Sequence, residues 1–425
     1  MRIVSTDLNM RREPLVRPFA FKGGAFTEKW LAVTGVRAAS GHKAVGIAGL
    51  AILWSDPQVF AAHSETGGNM LMALVAERAL ALLGERDFEH PAEAIRMILP
   101  ELHEYGRMIT GVPALRKTFV LNSLVSLDNA LWNLHAKENG LNAFDQIVPK
   151  GARSALSARQ RRLVRLPAIT YGTSCEAVAR MAQSGWFLPK IKLGHPGSQD
   201  EMLAADMRRL TEMHALLIDT PAEYSECGRV LYYLDANGRY ESPDAIWRLI
   251  EHMDILGMRD RVLLLEEPFP EEAEFGVADF PLMVAADESL HGVEDVNTRI
   301  DMGYGVMTLK AAGKTLSMTF EMAEAAFARN TPCIVADSSC VPVLVGWNQA
   351  VAARLPSLPC LRCGILESNG PESYRNWSAM VGAHPHAGAG WIEAPEGLFE
   401  LGDDFYADSA GIFDTPADFA ALVNP

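Results

Sequence analysis

Charged side chains end seven of the short apolar runs in the second half of this chain. These residues are Lys192, Asp235, Glu266, Asp287, Lys310, Asp337 and Glu367. Strands of a parallel sheet are buried on both faces and are usually apolar along their whole length, so packing does not explain the charges. One such residue could cap a helix, but seven in succession favour a shared chemical site.

Asp235, Glu266 and Asp287 have the properties of a metal-ligand set. They end three successive runs, and three adjacent carboxylates repel one another strongly unless a cation lies between them. An all-oxygen ligand set suits Mg²⁺, which keeps coordination positions for water and for a substrate carboxylate. We therefore expect a Mg²⁺ site here, with Mn²⁺ as an alternative ion.

Lys192 and Lys310 end the second and the sixth run, one on each side of those carboxylates. A lysine close to a divalent cation and to another lysine has a lowered pKa and can act as a general base near neutral pH. Two bases, one on each face of a carbon atom, are what a racemase or an epimerase requires.

The apolar runs themselves predict a barrel. Eight of them alternate with amphipathic stretches, at residues 167–171, 187–192, 230–235, 262–266, 282–287, 306–310, 333–337 and 364–367. This alternation is typical of a parallel sheet with crossover helices. Eight units in about 200 residues favour a (β/α)-barrel over a doubly wound sheet, and a barrel brings the carboxyl ends of all its strands to one mouth.

The first 150 residues are predicted to form an α+β capping domain. Apolar residues at helical spacing predict a long helix over about residues 115–139, ended by Gly140. Before it lies a stretch with Gly, Pro and aromatic residues that we interpret as irregular. Residues 19–26 of this stretch are expected to form a lid over the barrel mouth, with Phe21 and Phe26 contacting the substrate. The predicted division is 1–150 for the cap, 151–385 for the barrel, and 386–425 for a segment that returns to the cap.

Composition excludes several other classes of protein. A formal net charge of −15 over 425 residues argues against a duplex nucleic-acid binder, which usually needs a basic face. No apolar run has the length of a membrane helix, and residues 1–7 lack the apolar stretch of a secretory signal. We expect a cytoplasmic homo-oligomer that acts on small molecules. The six cysteines are too sparse for a disulfide scaffold, and Cys360 and Cys363 are interpreted as unlinked thiols.

Five short motifs resemble those of a known family. They are, in order, Lys190-Ile191-Lys192, Asp235-Ala236-Asn237, Glu266-Glu267-Pro268, Asp287-Glu288-Ser289 and Leu309-Lys310. They resemble the K-x-K, D-x-N, E-E-P, D-E-S and strand-six lysine motifs of the muconate lactonizing enzyme subgroup of the enolase superfamily, which includes dipeptide epimerases. The resemblance implies a modified TIM barrel with an N-terminal cap, and Mg²⁺-assisted removal of the proton α to a substrate carboxylate.

The resemblance also implies a role for each matching residue. Asp235, Glu266 and Asp287 would hold Mg²⁺, with Glu267, Glu288 and Asn237 supporting them from outside the ligand set. Lys192 and Lys310 would be the acid/base pair, and Lys190 would help to hold the substrate carboxylate. Glu367 and Asp337, at the ends of the last two strands, are expected to contact the substrate. We expect Glu367 to lie too far around the barrel to join the metal ligands, and to contact a substrate group or Arg375.

Three features depart from the family pattern. The interval of 43 residues from Lys192 to Asp235 exceeds the later intervals of 31, 21, 23 and 27, which predicts an insertion near residues 218–228. The residues after Lys310 are not the usual glycine pair, so Lys314 is an alternative for the strand-six base. The eighth strand ends in Glu367 and Ser368, whereas dipeptide epimerases have a D-x-D motif there.

The type of reaction is left with alternatives. A racemase or epimerase with two lysine bases is favoured. A lyase on the same scaffold, either an acid-sugar dehydratase or a cycloisomerase, would use one lysine as base and the other to stabilise charge. A Schiff-base aldolase with Lys310 as nucleophile is a third alternative.

Overall fold

The N-terminal part of the chain is a three-stranded antiparallel sheet packed against helices. The computed structural model describes residues 1–21, 24–84 and 86–425, without the side chains of Ala20 and Phe21. The strands lie in the order β1-β2-β3. Their bounds and those of the helices that follow are β1 Ile3–Phe21, β2 Gly24–Ala38, β3 Lys43–Leu50, α1 Ile52–Ser55, α2 Pro57–Leu83, α3 Pro91–Thr110, α4 Lys117–Asn139 and α5 Phe144–Ile147.

The stretch interpreted as irregular is a long β-hairpin, so that interpretation was wrong. Strands β1 and β2 pair from Ile3 to the hairpin end, where Phe19 lies opposite Phe26. The pairing shifts register between Pro14 and Phe19. Proline cannot donate to the ladder, and a bulge breaks the two-residue alternation by which a strand is recognised in sequence. The alternation pattern of the sequence therefore did not reveal the hairpin.

Helix α4 confirms the predicted helix and covers the edge of this sheet. It ends at Gly140, which adopts a left-handed conformation with φ of 63°. Three asparagine side chains on α4 donate to carbonyl oxygens of the edge strand β3, over distances of 3.1–3.2 Å. Helix and strand approach closely because β3 carries Gly46, where a Cβ atom would lie 2.1 Å from the Ser126 carbonyl oxygen. The edge strand is thereby protected from pairing with another chain.

The second part of the chain contains the eight predicted β/α units. Its strands and helices are β4 Arg162–Leu166, β5 Ala168–Ile169, α6 Cys175–Gln183, β6 Lys190–Lys192, α7 Gln199–Leu217, β7 Tyr232–Asp235, α8 Pro243–Ile255, β8 Val262–Glu266, β9 Val284–Ala286, α9 Val293–Asp301, β10 Val306–Leu309, α10 Ala311–Lys314, α11 Leu316–Ala328, β11 Cys333–Val335, α12 Pro342–Ala352 and β12 Gly364–Glu367. The elements after them are α13 Gly370–Ser373, α14 Trp377–Gly382, β13 Leu398–Glu400, α15 Asp403–Ala407 and α16 Ala417–Ala420.

The parallel strands close into a ring through the first barrel strand. Strand β4 pairs with β12, whereas β5 pairs with β6, and only Pro167 separates the two segments. The first barrel strand is thus a single extended segment divided by a proline, which begins at Arg162 rather than at the predicted Pro167. Counting from it, the second strand is β6, the third is β7, and the sixth is β10. The predicted (β/α)-barrel is confirmed.

Helix α4 also joins the cap to the barrel. The Asp128 carboxylate on α4 accepts hydrogen bonds from the backbone N–H groups of Leu316 and Ser317, at 2.8 and 3.1 Å, at the start of α11. Trp132 of α4 donates to the Ser317 hydroxyl at 3.1 Å. The C-terminal residues return to β1, where the Asn424 N–H donates to Asp7 at 2.7 Å. The cap is therefore fixed over the barrel from both sides.

The predicted insertion lies away from the barrel mouth. It forms the loop between α7 and β7, and Ser225 within it bridges to Leu361 just before β12. Both segments precede strands, so they lie at the amino ends of the barrel strands. All six cysteines are free thiols, including Cys360 and Cys363. Among the described helices, none has both the length and the apolar character needed to cross a lipid bilayer.

Candidate functional site

The carboxyl ends of the barrel strands open into a cleft that the cap covers. The cleft has about 680 Å³ of space. Barrel residues that line it include Lys190, Lys192, Asn237, Asp287, Glu288, Lys310, Asp337 and Glu367. The cap contributes Phe19, Phe26, Lys29, Trp54 and Asn69, among others. Most of the residues predicted from the sequence therefore meet in one place, whereas the side chain of Phe21 lies outside the described residues.

Lys190 occupies the centre of the charged cluster. Its Nζ atom lies 3.0 Å from Asp235, 2.8 Å from Glu266 and 2.9 Å from Glu367. The side chain is only 2% exposed. Burial opposes its charged form, but the carboxylates of Asp235, Glu266 and Glu367 outweigh burial and raise the pKa of Lys190 well above its usual range. Lys190 is therefore held as a permanent ammonium.

Three buried carboxylates could hold a metal ion. Oxygen atoms of Glu266, Asp287 and Glu288 lie within 4.8 Å of one another. Asp235, predicted as a ligand, instead accepts from Lys192 at 2.5 Å and from Lys190. Glu288, predicted to lie beside the ligands, belongs to the group. Burial and the neighbouring charges of Asp235 and Asp287 raise the pKa of Glu266 well above its usual range.

Glu267 and Asn237 fix the loops that carry these carboxylates. Glu267 accepts from the backbone N–H of Asp287 at 2.7 Å and from the Ser289 hydroxyl at 3.1 Å. Asn237 donates its backbone N–H to Asp235 at 3.0 Å and its side-chain amide to Glu288 at 2.9 Å. Both residues have positive φ, 40° for Glu267 and 47° for Asn237, a strained conformation that the surrounding structure must maintain. Burial, with the charge of Glu288, raises the pKa of Glu267 to about 7.

Lys192 and Lys310 lie on opposite sides of the acidic group. They follow the second and sixth strands of the eight-stranded ring, which face each other across the mouth. Lys192 donates to Asp235 and Lys310 donates to Asp287, each at 2.5 Å. Burial lowers the pKa of Lys310, but the Asp287 carboxylate outweighs it and raises that pKa. The Lys310 ammonium also lies 4.3 Å from the ring centroid of Trp54.

Lys314, the alternative to Lys310, lies behind Asp287. It is fully buried and donates to the Asp287 carbonyl oxygen at 2.8 Å. Burial lowers the pKa of Lys314. Lys310 lines the cleft, whereas Lys314 is not among its lining residues. The geometry therefore favours Lys310 as the strand-six base.

Glu367 faces the mouth as predicted, but Arg375 was wrong as its protein partner. Its carboxylate shares Lys190 with Asp235 and Glu266, and it also accepts from the Asn369 amide at 2.9 Å. An eight-stranded barrel is narrow enough for one long side chain to reach across it. Carboxylates on distant strands of the ring can therefore bind the same ammonium group. Arg375 donates instead to the Leu15 carbonyl oxygen at 2.9 Å.

Asp337 lines the cleft, but its carboxylate is engaged by the backbone. One oxygen accepts from the Cys340 N–H at 2.9 Å and the other from the Asn369 N–H at 2.8 Å. In this arrangement Asp337 ties together the loops that follow the seventh and eighth strands.

Several residues at the site were missed by sequence reasoning. Lys29 and Trp54 come from the cap and have no chemical motif around them. Tyr233 donates its hydroxyl to Glu266, from inside the third barrel strand. Tyr233 alone among these had a signal in the sequence, because a tyrosine two residues before the Asp that ends a strand points to the same face of that strand. Phe19 and Phe26 belong instead to the predicted lid: their ring centroids are 5.3 Å apart, and both line the cleft.

The residues present fit a divalent cation. Six buried carboxylates, those of Asp235, Glu266, Glu267, Asp287, Glu288 and Glu367, surround four buried or nearly buried lysines, Lys190, Lys192, Lys310 and Lys314. So many carboxylates are packed together favourably only with positive charge among them, and one Mg²⁺ would add to that of the lysines. Within the described residues, Glu266 Oε1 is buried and has no hydrogen-bond partner. An unsatisfied oxygen among oxygen ligands suits Mg²⁺.

Comparison with known proteins establishes the fold. No protein-family model matches the chain, and no curated protein matches it. Solved structures match along most of its length. A mandelate racemase/muconate lactonizing protein from Herpetosiphon aurantiacus is 16% identical with a TM-score of 0.66, covering 95% of this chain and 96% of that one.

Two epimerase structures are similar as well. A dipeptide epimerase from Enterococcus faecalis, complexed with Mg and the dipeptide L-Leu-L-Tyr, is 14% identical with a TM-score of 0.63 over 95% of this chain and 98% of that one. The L-Ala-D/L-Glu epimerase from Bacillus subtilis is 16% identical with a TM-score of 0.60 over 88% of this chain and 92% of that one. The chain therefore has the fold of enolase-superfamily proteins of the mandelate racemase/muconate lactonizing type.

Proposed function

We propose that this chain is a Mg²⁺-dependent enzyme that removes the proton α to a substrate carboxylate, and that it acts as a racemase or epimerase. The placement of Lys192 and Lys310 carries this proposal. They project from opposite strands into one covered cleft, on either side of a buried acidic group. A planar carbon between them would be open to a lysine on each face. The epimerases among the similar structures support the same reading.

The carboxylates of Glu266 and Asp287 would hold Mg²⁺, together with Asp235 or Glu288. When bound, the ion would polarise the substrate carboxylate and stabilise the negative charge that develops as the α proton leaves. Mn²⁺ could replace it, because the ligands are of the same type. Lys190, fixed by three carboxylates, would add positive charge near the substrate carboxylate.

The two lysines would divide the proton transfers. One would take the α proton from its face of the carbon, and the ammonium of the other would return a proton to the opposite face. In this structure each ammonium donates to a carboxylate, Lys192 to Asp235 and Lys310 to Asp287. Asp287 raises the pKa of Lys310, so loosening of its ion pair would make Lys310 a better base.

The substrate would be a small carboxylate. The dipeptide seen with the Enterococcus faecalis epimerase belongs to that protein. An ammonium partner at Glu367 gains no support here, because both carboxylate oxygens of Glu367 already accept from Lys190 and Asn369. The lyase alternative would use the same cleft with a single base. The Schiff-base alternative would use Lys310 as a nucleophile in the same cleft.

Deuterium exchange with stereodefined substrates tests the proposal. The protein would be incubated with Mg²⁺ in heavy water with separate enantiomers of dipeptides, N-acyl amino acids and sugar acids. Lys192→Ala should stop exchange from one enantiomer, and Lys310→Ala should stop exchange from the other. Mass spectrometry of the recovered substrate measures the incorporation.

Exposed Lys117 offers a matched control, because Lys117→Ala also removes a lysine but lies outside the cleft. If Lys310→Ala still exchanges the α proton of both enantiomers, Lys314 would be the base of the sixth strand instead. Exchange from one enantiomer only, with loss of water or ring closure, would favour the lyase. Covalent trapping by borohydride in place of exchange would favour the Schiff-base enzyme. Full turnover after exhaustive metal removal would contradict the Mg²⁺ requirement.

A further inference from the structure

Lys29 is a buried ammonium that the proposed chemistry does not use. It lies on strand β2 of the cap, is 1% exposed, and lines the cleft. Its Nζ atom donates to the Ser338 carbonyl oxygen at 2.5 Å. Within the described residues it makes no ion pair with a carboxylate. A buried charge without a charged partner is costly, and proteins keep one mainly where it has a task.

The carboxylates that face Lys29 already have other partners. Glu28, next to it in the strand, accepts from Arg12 at 2.9 Å and from Trp30 at 2.8 Å. Asp337, across the cleft, accepts from two backbone N–H groups. The Cys340 thiol stays neutral, because burial and the charge of Asp337 raise its pKa. Within the described residues, no carboxylate therefore lies within ion-pair distance of Lys29, and the charge of Asp337 only partly offsets the effect of burial on its pKa.

The surrounding backbone makes room for this side chain. Gly49 lies on the neighbouring strand β3, and a Cβ atom at that position would be only 2.8 Å from Lys29 Cε. Burial lowers the pKa of Lys29 to about 8, so the amine is still mostly protonated at pH 7. It can thus attract an anion.

Lys29 contacts a different part of the mouth from the acidic group of Glu266, Asp287 and Glu288. Its partner Ser338 follows β11, the seventh strand of the ring, whereas Glu266 ends the fourth strand and Asp287 follows the fifth. Lys29 is therefore a cation of the cap that lines the same cleft as the acidic group and has no carboxylate within ion-pair distance among the described residues.

We propose that Lys29 binds a second carboxylate of the substrate, so that the enzyme acts on dicarboxylates. This inference rests on the proposed function for the identity of the reacting end. One carboxylate would lie at the acidic group and the other at Lys29, with the α carbon between Lys192 and Lys310. A buried ion pair to the distal carboxylate would select diacids over monoacids of the same shape.

Binding can be tested without turnover. Thermal shift and calorimetry, with Mg²⁺ present, would compare succinate, glutarate and adipate with their monoamides. The wild-type chain should bind the diacid of best length about 10- to 100-fold more tightly than its monoamide, the range for a hydrogen bond to a charged group. Lys29→Met should lose this preference, and Lys117→Met should keep it.

The stability of the variant separates binding from structure. Lys29→Met should have an unchanged or higher Tm without ligand, since an apolar side chain replaces an unpaired buried charge. Lys29→Gln keeps a donor for Ser338 and serves if the Met variant fails to fold. An unaltered preference for diacids in either variant, or a lowered Tm with the preference intact, would show that Lys29 only holds the Ser338 loop.

Exchange experiments distinguish this inference from the proposed function. N-acetylglutamate and N-acetylglutamine differ only in the distal charge. Selective binding of diacids without α-proton exchange on any substrate would contradict the proposed function and leave the Lys29 site intact. Equal exchange on both N-acetyl compounds, equally unaffected by Lys29→Met, would overturn the Lys29 site and leave the proposed function intact.

Discussion

Glu266→Gln should be at least as stable as the wild type without metal, and less stable than the wild type once Mg²⁺ is added. Glu266 is fully buried between Asp235 and Asp287, and burial with these two charges raises its pKa well above the usual range. A carboxyl with a raised pKa in the folded state destabilises the protein while it is ionised, and at pH 7 the unfolded chain holds it ionised. Without metal, Glu266→Gln should therefore equal or exceed the wild type in Tm.

The effect of Mg²⁺ can be estimated from mass action. At 100 times its Kd, a ligand that binds only the folded state stabilises it by about 2.7 kcal/mol. For 425 residues the entropy of unfolding is about 0.9 kcal/mol/K, so the wild-type Tm should rise by about 3 °C. If the loss of one anionic ligand weakens binding about 100-fold, the same Mg²⁺ concentration adds only about 0.4 kcal/mol, or about 0.5 °C, to Glu266→Gln.

Differential scanning calorimetry at a series of Mg²⁺ concentrations would measure both shifts. Glu104→Gln is a matched control, because its side chain is 70% exposed on α3. It should show the full wild-type shift. An equal Mg²⁺ shift in Glu266→Gln and wild type would refute the assignment of Glu266 as a ligand. A large loss of stability without metal would refute the argument that its charge is unfavourable there.

Two further predictions concern the cap and the C-terminal segment. Phe26→Ala should raise KM and alter substrate preference with little change in Tm, because Phe26 lies at the end of a hairpin over the cleft. Steady-state kinetics and a melting curve measure these effects. A large drop in Tm would instead make Phe26 a structural residue. Burial, with the nearby His386, lowers the pKa of His384 to about 4. His384 thus contributes stability that is fully present above pH 6.5 and is lost as the pH falls toward 4, on the order of 3 kcal/mol in all. Urea unfolding across that range should show a shallower pH dependence in His384→Asn, and an unchanged slope would count against a buried neutral His384.

The ring of charged strand ends could be predicted because each member is a local feature. A charge that follows a short apolar run is visible in the sequence, and the barrel then brings the ends together. The distances across the mouth are not local. Lys190 was predicted to face the substrate and Glu367 to stand apart, yet one ammonium lies within 3.0 Å of Asp235, Glu266 and Glu367. That contact depends on the diameter of the barrel, which no single motif encodes.

The place of Phe26 at the site could be predicted from the cap's own residues, whereas that of Lys29 could not. Lys29 lies within a strand whose alternation gives no chemical signal, and its importance appears only when the hairpin is placed over the barrel. The placement depends on contacts between distant segments, such as that of Asp128 with Leu316. The helix that carries Asp128 was predicted, but not the residues that it would meet.

The four lysines of the barrel site differ in the exposed fraction of their side chains. This difference helps to distinguish lysines that only balance buried charge from lysines that could act as bases. The side chains of Lys190 and Lys314 are 2% and 0% exposed, so neither can move far from its carboxylates. Those of Lys192 and Lys310 are 17% and 5% exposed. Lys190 lines the cleft as they do, but three carboxylates within 3.0 Å hold its ammonium. A base must approach the substrate and exchange its proton, which requires access as well as a suitable pKa. Access therefore supports the proposal that Lys192 and Lys310 are the bases. Lys190 and Lys314 would then serve as counter-charges to the buried carboxylates.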